Sequence, residues 1–473
     1  MSAYVLAIDQ GGHASRAIAF DSSGRAAADA SVDVETRRLP GDRVEHDPEE
    51  LVESIRRSVD EATSRLNGKI TAAGLATQRS SIVCWDRDTG RALSPVISWQ
   101  DRRAAAWLQR FEDRSAEIHA ITGLVLSPHY GASKLRWCLE HLHDVRKAMD
   151  EHRLACGPLS SFILFRLLEG NPFAVDPANG SRTLLWDCTT RRWSPTLLDL
   201  FGVPDSILPR CVPTRHGFGL LRTRDADIPL DVCTGDQSAA LFAFGEPRAD
   251  TTYINAGTGA FLQRHVGGSR VEASRLLASV IWEADGELDY VLEGTVNGGG
   301  SALHQIGMEL GVDAGSLDRL VADAVERVAA PPLFLNGVSG LGSPFWRAEF
   351  QSRFIGEADT RGKLAGVVES ILFLIAVNLD EMARAAGPER RLVLTGGLAA
   401  MTGFCQKLAD LCGSTVERPE IREATARGLA WLVAGRPSAW LKDAKSDSFT
   451  PGRNPELTER YERWRAAMTA ALE

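Results

Sequence analysis

No uninterrupted apolar run in this 473-residue chain approaches the roughly 20 residues a membrane helix needs, and Met1-Ser2-Ala3 leads straight into a strand-like segment without a signal peptide. A soluble, cytoplasmic protein with no membrane partner is expected. Positive charge is not in excess either: the formal net charge is −9 and Lys and Arg are dispersed, so the basic footprint of a nucleic-acid binder is missing. Cys-x-x-Cys pairs are absent. The eight cysteines (Cys84, Cys138, Cys156, Cys188, Cys211, Cys233, Cys405, Cys412) are scattered among mostly apolar neighbours, which reads as reduced core thiols and implies no zinc site. Both common nucleotide fingerprints fail as well. Gly356 to Leu364 has the wrong spacing for a P-loop and lacks its Ser/Thr, while Gly257-Thr258-Gly259 lacks the third glycine of a dinucleotide site.

What is present is a globular composition, 44% hydrophobic and 24% charged, in a chain longer than one core usually serves. Two domains with a cleft between them follow. Residues Asp9-Gln10-Gly11-Gly12-His13-Ala14-Ser15-Arg16 form a glycine-hinged loop between the apolar runs Tyr4–Ile8 and Ala17–Phe20, predicting a β-hairpin with chemistry at its tip. Its glycines let backbone N–H groups approach a phosphate chain, Asp9 can hold a hydrated divalent cation, and Arg16 can meet phosphate oxygens. Thr252 to Leu262 repeats this pattern about half a chain later, with Gly257-Thr258-Gly259 at the turn. Either copy alone also reads as an ordinary turn; the pairing favours phosphate.

Asp47-Pro48-Glu49-Glu50 predicts a helix start, with Asp47 as N-cap and Glu50 placed for a capping box; Leu51, Ile55, Val59 and Leu66 supply one apolar face. Strands are expected at Ala73–Thr77 and Ser81–Trp85, so the class is α/β. A second helix carries Val368, Ile371, Leu372, Ile375 and Leu379, and Arg391–Thr395 reads as a buried strand running into Gly396-Gly397. The domain junction is placed near Phe244-Gly245, giving domains of 1–244 and 245–473.

In sequence order, the first hairpin, Gln78-Arg79, Trp99-Gln100-Asp101-Arg102-Arg103, Lys134-Leu135-Arg136-Trp137, Gly235-Asp236-Gln237, Gly257-Thr258-Gly259, Ser339-Gly340-Leu341-Gly342 and Gly396-Gly397 resemble a carbohydrate kinase of the FGGY type, nearest its glycerol kinase branch. The resemblance spans about Tyr4 to Gly435. It implies two domains of ribonuclease H topology, as in actin and hexokinase, each around a five-stranded sheet, with ATP and a small sugar or polyol meeting in the cleft. By this resemblance Asp236 is the general base and Gln237 binds a neighbouring hydroxyl. Asp9 positions Mg2+. Gly11, Gly12, His13 and Arg16 surround the transferred phosphate, Gly257, Thr258, Gly259 and Gly300 hold phosphates from the other domain, and Gly396, Gly397 and Met401 lie by the adenine. Arg79, Ser80, Trp99, His129 and Phe261 line the acceptor pocket, and a homodimer is the family default.

Five residues depart from the glycerol kinase pattern. Gly12 and His13 replace two threonines, so a hydroxyl donor is lost, and His13 reads equally as a phosphate ligand or a solvent-facing loop residue. Ser80 replaces a glutamate, His129 a tyrosine, and Met401 an asparagine. The shorter Ser80 suggests a longer polyol or a ketose in place of glycerol, walled by Phe261 and Trp99. The alternative is a catalytically weakened nucleotide- or sugar-binding homologue with a regulatory role.

Overall fold

A computed structural model describes residues 2–224, 226–421, 423–441 and 445–473. The first sheet contains β1 (Ser2–Gln10), β2 (Ala14–Phe20), β3 (Ala26–Asp33), β4 (Gly68–Thr77), β5 (Arg215–Arg222) and β6 (Asp227–Gly235), in the order β5-β6-β4-β1-β2-β3. The second contains β7 (Thr251–Ala256), β8 (Ala260–Gly267), β9 (Leu277–Ala284), β10 (Glu287–Val296), β11 (Arg391–Thr395), β12 (Thr415–Pro419) and β13 (Ser446–Phe449), in the order β9-β10-β8-β7-β11-β12-β13.

The two sheets share one plan. β1 pairs antiparallel with β2 and parallel with β4; β7 pairs antiparallel with β8 and parallel with β11. The sets β3-β2-β1-β4-β6 and β10-β8-β7-β11-β12 thus repeat the same five-strand topology. The expected five-stranded sheets are in fact six- and seven-stranded, because β5 extends one edge of the first, and β9 and β13 extend both edges of the second. Both expected hairpins form, with Asp9 opposite Arg16 and Asn255 opposite Phe261.

Helix α1 (Pro48–Ser64) starts as expected: Asp47 accepts from the Glu49 and Glu50 amides at 2.9 and 3.2 Å, with Pro48 in the first turn. The capping box does not form. Glu50 Oε1 instead accepts from the Glu35 amide at 3.0 Å, so a tertiary partner outcompetes the local one, and Leu66 falls beyond the helix end. Leu51, Val52, Ile55 and Val59 cover one face of the first sheet over Leu6 and Ile8. Helices α2 (Asp236–Leu241) and α4 (Ala424–Val433) cover the other, where Ala7, Gly74 and Ala76 leave room for Leu429 and Val433.

Helix α3 (Thr360–Ala386), lying between α2 and α4 in sequence, corrects the expectation about apolar runs: by length and composition alone it could cross a membrane, with mean hydropathy 1.7 over its best window. That window is 89% buried, so it is the central core helix of the second domain, packed with Leu262, Leu292 and Leu394. Helix α5 (Pro455–Leu472) docks on the same core through Tyr461 and Trp464. A further core joins the sheets, bringing Ala7, Phe20 and Val232 together with Tyr253, Trp282 and Val393. The cleft opens above it.

Candidate active site

The strand ends beside the two hairpin tips and the start of α2 converge on a cavity of about 300 Å3, lined by Asp9 and Arg16 from the first sheet, Gln237 from α2, Phe261 and Gly396 from the second domain, and Glu423 before α4. Asp9 ends β1 and Asp236 opens α2, so parallel strands β1, β4 and β6 deliver both carboxylates to the same edge. Burial pushes the Asp9 carboxyl up to about 7, and the nearby Asp236 carboxylate adds to the rise while Arg16 opposes it. The Asp236 carboxyl is also raised, chiefly by burial, with Arg79 acting against it. Two acids that disfavour each other's ionisation make a site that attracts cations.

Arg16, although close to Asp9, is engaged by another carboxylate. Its Nη1 lies 2.8 Å from Glu423 Oε2, just before α4. The Gly11 amide closes the loop onto the Ala14 carbonyl at 3.0 Å, Thr36 Oγ1 donates to the Gly12 carbonyl at 2.8 Å, and the His13 side chain is exposed. In the second hairpin the Gly300 amide donates to the Gly257 carbonyl at 2.8 Å and Ser301 to that of Thr258 at 3.0 Å, so this tip rests on the start of the helix Gly300–Glu309. Gly259 belongs to the same turn. Gly397 opens a short turn, and Met401 packs against the second core next to the helix Thr402–Cys412.

The acceptor residues assemble around Arg79. Its Nε lies 3.9 Å from Asp236 Oδ1, and its Nη2 donates to Gln237 Oε1. Gly235 makes this possible, because a Cβ there would come within 2.6 Å of Arg79 Cγ. Trp99 and His129 pack with ring centroids 5.4 Å apart. Lys134, fully buried, donates from Nζ to the Ser80 carbonyl at 3.0 Å and the His129 carbonyl at 2.6 Å, tying the two wall segments together. Burial drives the Lys134 ammonium far below its ordinary value, and burial with Lys134, Arg102, Arg182 and Arg79 nearby keeps the His129 imidazole neutral. Ser80 adopts φ +65°, and its buried Oγ has no hydrogen-bond partner. Strained backbone and an unpartnered hydroxyl in one residue mark a position shaped for a ligand.

Sequence reading missed Arg182 and Glu293. Glu293, on β10, receives Arg79 Nη1 at 2.9 Å and Arg182 Nη2. Burial opposes its ionisation, but Arg182 and Arg79 outweigh that and hold the carboxyl at about 2. One signal was available: a lone acid inside the apolar run Tyr290–Val296. Nothing local marks Arg182.

Residues 4–243 match the N-terminal domain and residues 252–435 the C-terminal domain of the FGGY family of carbohydrate kinases. The chain is 36% identical to a glycerol kinase of Thermus brockianus (99% of this chain, 98% of that one) and 32% identical to one of Allorhizobium ampelinum (100% and 99%). Its fold is similar to that of Plasmodium falciparum glycerol kinase solved with ADP, at a TM-score of 0.91 and 22% identity over 100% and 99% of the two chains. It is also similar to a gluconate kinase of Lactobacillus acidophilus, at 0.88 and 19% over 100% and 99%.

Proposed function

This chain belongs to the FGGY family of carbohydrate kinases, and on that basis we propose how its cleft works, with Asp236 as the general base of phosphoryl transfer. The protein is an ATP-dependent kinase acting on a hydroxyl group of a small sugar or polyol. The observation that carries the proposed mechanism is the closeness of the Asp236 carboxylate to Asp9, whose proton affinity it raises, beside a cavity that Asp9 and Gln237 line together with residues of the second domain.

The acceptor hydroxyl, oriented by Arg79 and Gln237, attacks the γ-phosphorus of ATP as its proton passes to Asp236 and the bond to the ADP oxygen breaks. A base whose proton affinity is raised by burial accepts that proton more readily than an ordinary aspartate. The backbone turns at Gly11–Gly12, at Gly257–Gly259 with Gly300, and at Gly396–Gly397 cradle the nucleotide, with His13 and Met401 at its edges and Arg16 leaving Glu423 to meet the phosphates. The Asp9 and Asp236 carboxyls stay raised despite Arg16 and Arg79 nearby, and among the described residues no cluster of three or more His, Cys, Asp or Glu forms a metal cage. A hydrated Mg2+ suits such a pair: Asp9 would hold it, leaving the other positions to water and phosphate oxygens, and it would neutralise charge on the transferring group.

Ser80, with its short side chain and free hydroxyl, supports an acceptor longer than glycerol, a polyol or ketose flanked by Trp99, His129 and Phe261. We place the junction between the domains near residue 244 and the protein in the cytoplasm, in keeping with eight free thiols. A coupled assay of ADP release across a panel of polyols and ketoses tests the reading. Higher catalytic efficiency with a longer acceptor than with glycerol supports it; glycerol as the best acceptor removes the substrate assignment. No acceptor-dependent release at all removes the mechanism.

A further inference from the structure

Glu293 crosses a boundary that its partners do not. It stands on β10 of the second sheet, whereas Arg79 follows β4 and Arg182 lies in the short turn Ser181–Thr183 of the first domain. The three side chains are 6%, 8% and 4% exposed. Arg79 also reaches Glu293 Oε2 from Nη2 at 3.4 Å, and Gln263 Nε2 on β8 donates to Oε1 at 3.4 Å. One guanidinium therefore holds the second domain along one edge and Asp236 and Gln237 along the other.

We propose that Glu293 is a positioning residue: by neutralising Arg79 and Arg182 from the second domain, it presents Arg79 to the acceptor only when the domains are together. Without its charge, two buried guanidinium groups face each other and Asp236 becomes the nearest carboxylate for Arg79, which then closes over the space the acceptor needs. Removing one member of a buried ionic cluster leaves an uncompensated charge, and the remaining groups rearrange to relieve it. Among the described residues no side-chain hydrogen bond or ion pair joins the nucleotide-facing turns to Glu293, Arg79 or Arg182. Loss of Glu293 therefore reaches acceptor and ATP unequally.

This rests on the reading of Arg79 as an acceptor ligand, which acceptor-dependent ADP release by the wild-type protein supports separately. Glu293→Gln keeps the shape and removes the charge. It raises the acceptor KM about tenfold or more, the scale of a lost hydrogen bond to a charged group, while the ATP KM stays at its wild-type value. Glu293→Asp recovers part of the loss. The double variant Arg182→Gln, Glu293→Gln discards the surplus cation, so it melts no lower than Glu293→Gln yet keeps the raised acceptor KM; it also carries the test if the single variant does not fold. An unchanged acceptor KM, or equal loss for both substrates, overturns the proposal while leaving the kinase reading intact. A wild-type protein inactive with every acceptor overturns the kinase reading itself.

Discussion

Gly428, in the middle of α4, is the position where a single methyl group reaches furthest. A Cβ there would overlap the Ala239 carbonyl oxygen and lie 2.8 Å from the Ala243 amide nitrogen, where real Cβ atoms keep 3.0 Å or more. Both obstacles are backbone, so no side chain can swing aside, and the helices must part by about 1 Å, with an overpacking cost of about 1–3 kcal/mol. Helix α2 carries Asp236 as its first residue. The displacement is therefore passed to the proposed base, and misplacement by about 1 Å costs on the order of 100-fold in rate. Gly428→Ala should lower kcat by that order, measured by coupled ADP release at saturating ATP and acceptor, together with a lower melting temperature. Gly217→Ala, on a strand where nothing lies within 4 Å of the added Cβ, should change neither. If Gly428→Ala melts lower but turns over at the wild-type rate, Asp236 is not held by the α2–α4 contact and the reasoning fails.

Asp236→Asn should lower kcat by about 100- to 10,000-fold, the range for loss of a general base, with ATP binding retained by calorimetry. The carboxyls of Asp9 and Asp236 are both raised, so activity should fall as pH drops, with a midpoint well above the ordinary aspartate value; a midpoint near 4 in a pH–rate profile would contradict the burial of the pair. Because the folded-state value of Asp9 is raised to about 7, its favourable contribution to folding is present at low pH and is lost as pH rises through 7. Asp9→Asn should therefore raise the melting temperature most at pH 8, less at pH 5, and hardly at all below about pH 4, where the carboxyl is protonated in the folded and unfolded chain alike, while lowering activity wherever the wild type is active. Trp464→Ala, which removes a fully buried indole bonded to the Phe334 carbonyl at 2.9 Å, should cost about 3–5 kcal/mol, seen as a large drop in melting temperature.

The features legible in the sequence were those written locally. Glycine turns between apolar runs gave both hairpins, and Asp47-Pro48 gave the start of α1. Contacts set by distant partners were not legible. Glu50 prefers the Glu35 amide to a local cap, and β9 and β13 join sheet edges through pairings no short window encodes. Arg16 looked free for phosphate because its partner, Glu423, lies 407 positions away. The same holds for Arg182, whose carboxylate partner stands on the other sheet.

Helix α4 has a consequence for how the protein is made. Ala7, Gly74 and Ala76 are covered by residues 424–433, and Trp440 then stacks on Phe20 with ring centroids 6.0 Å apart. A ribosome that has delivered the entire first sheet has still not delivered its lid, so the nascent domain waits with a bare apolar face through nearly half of translation. Expressing the first half alone would make that wait permanent, and its product should aggregate unless residues 424–441 are supplied with it.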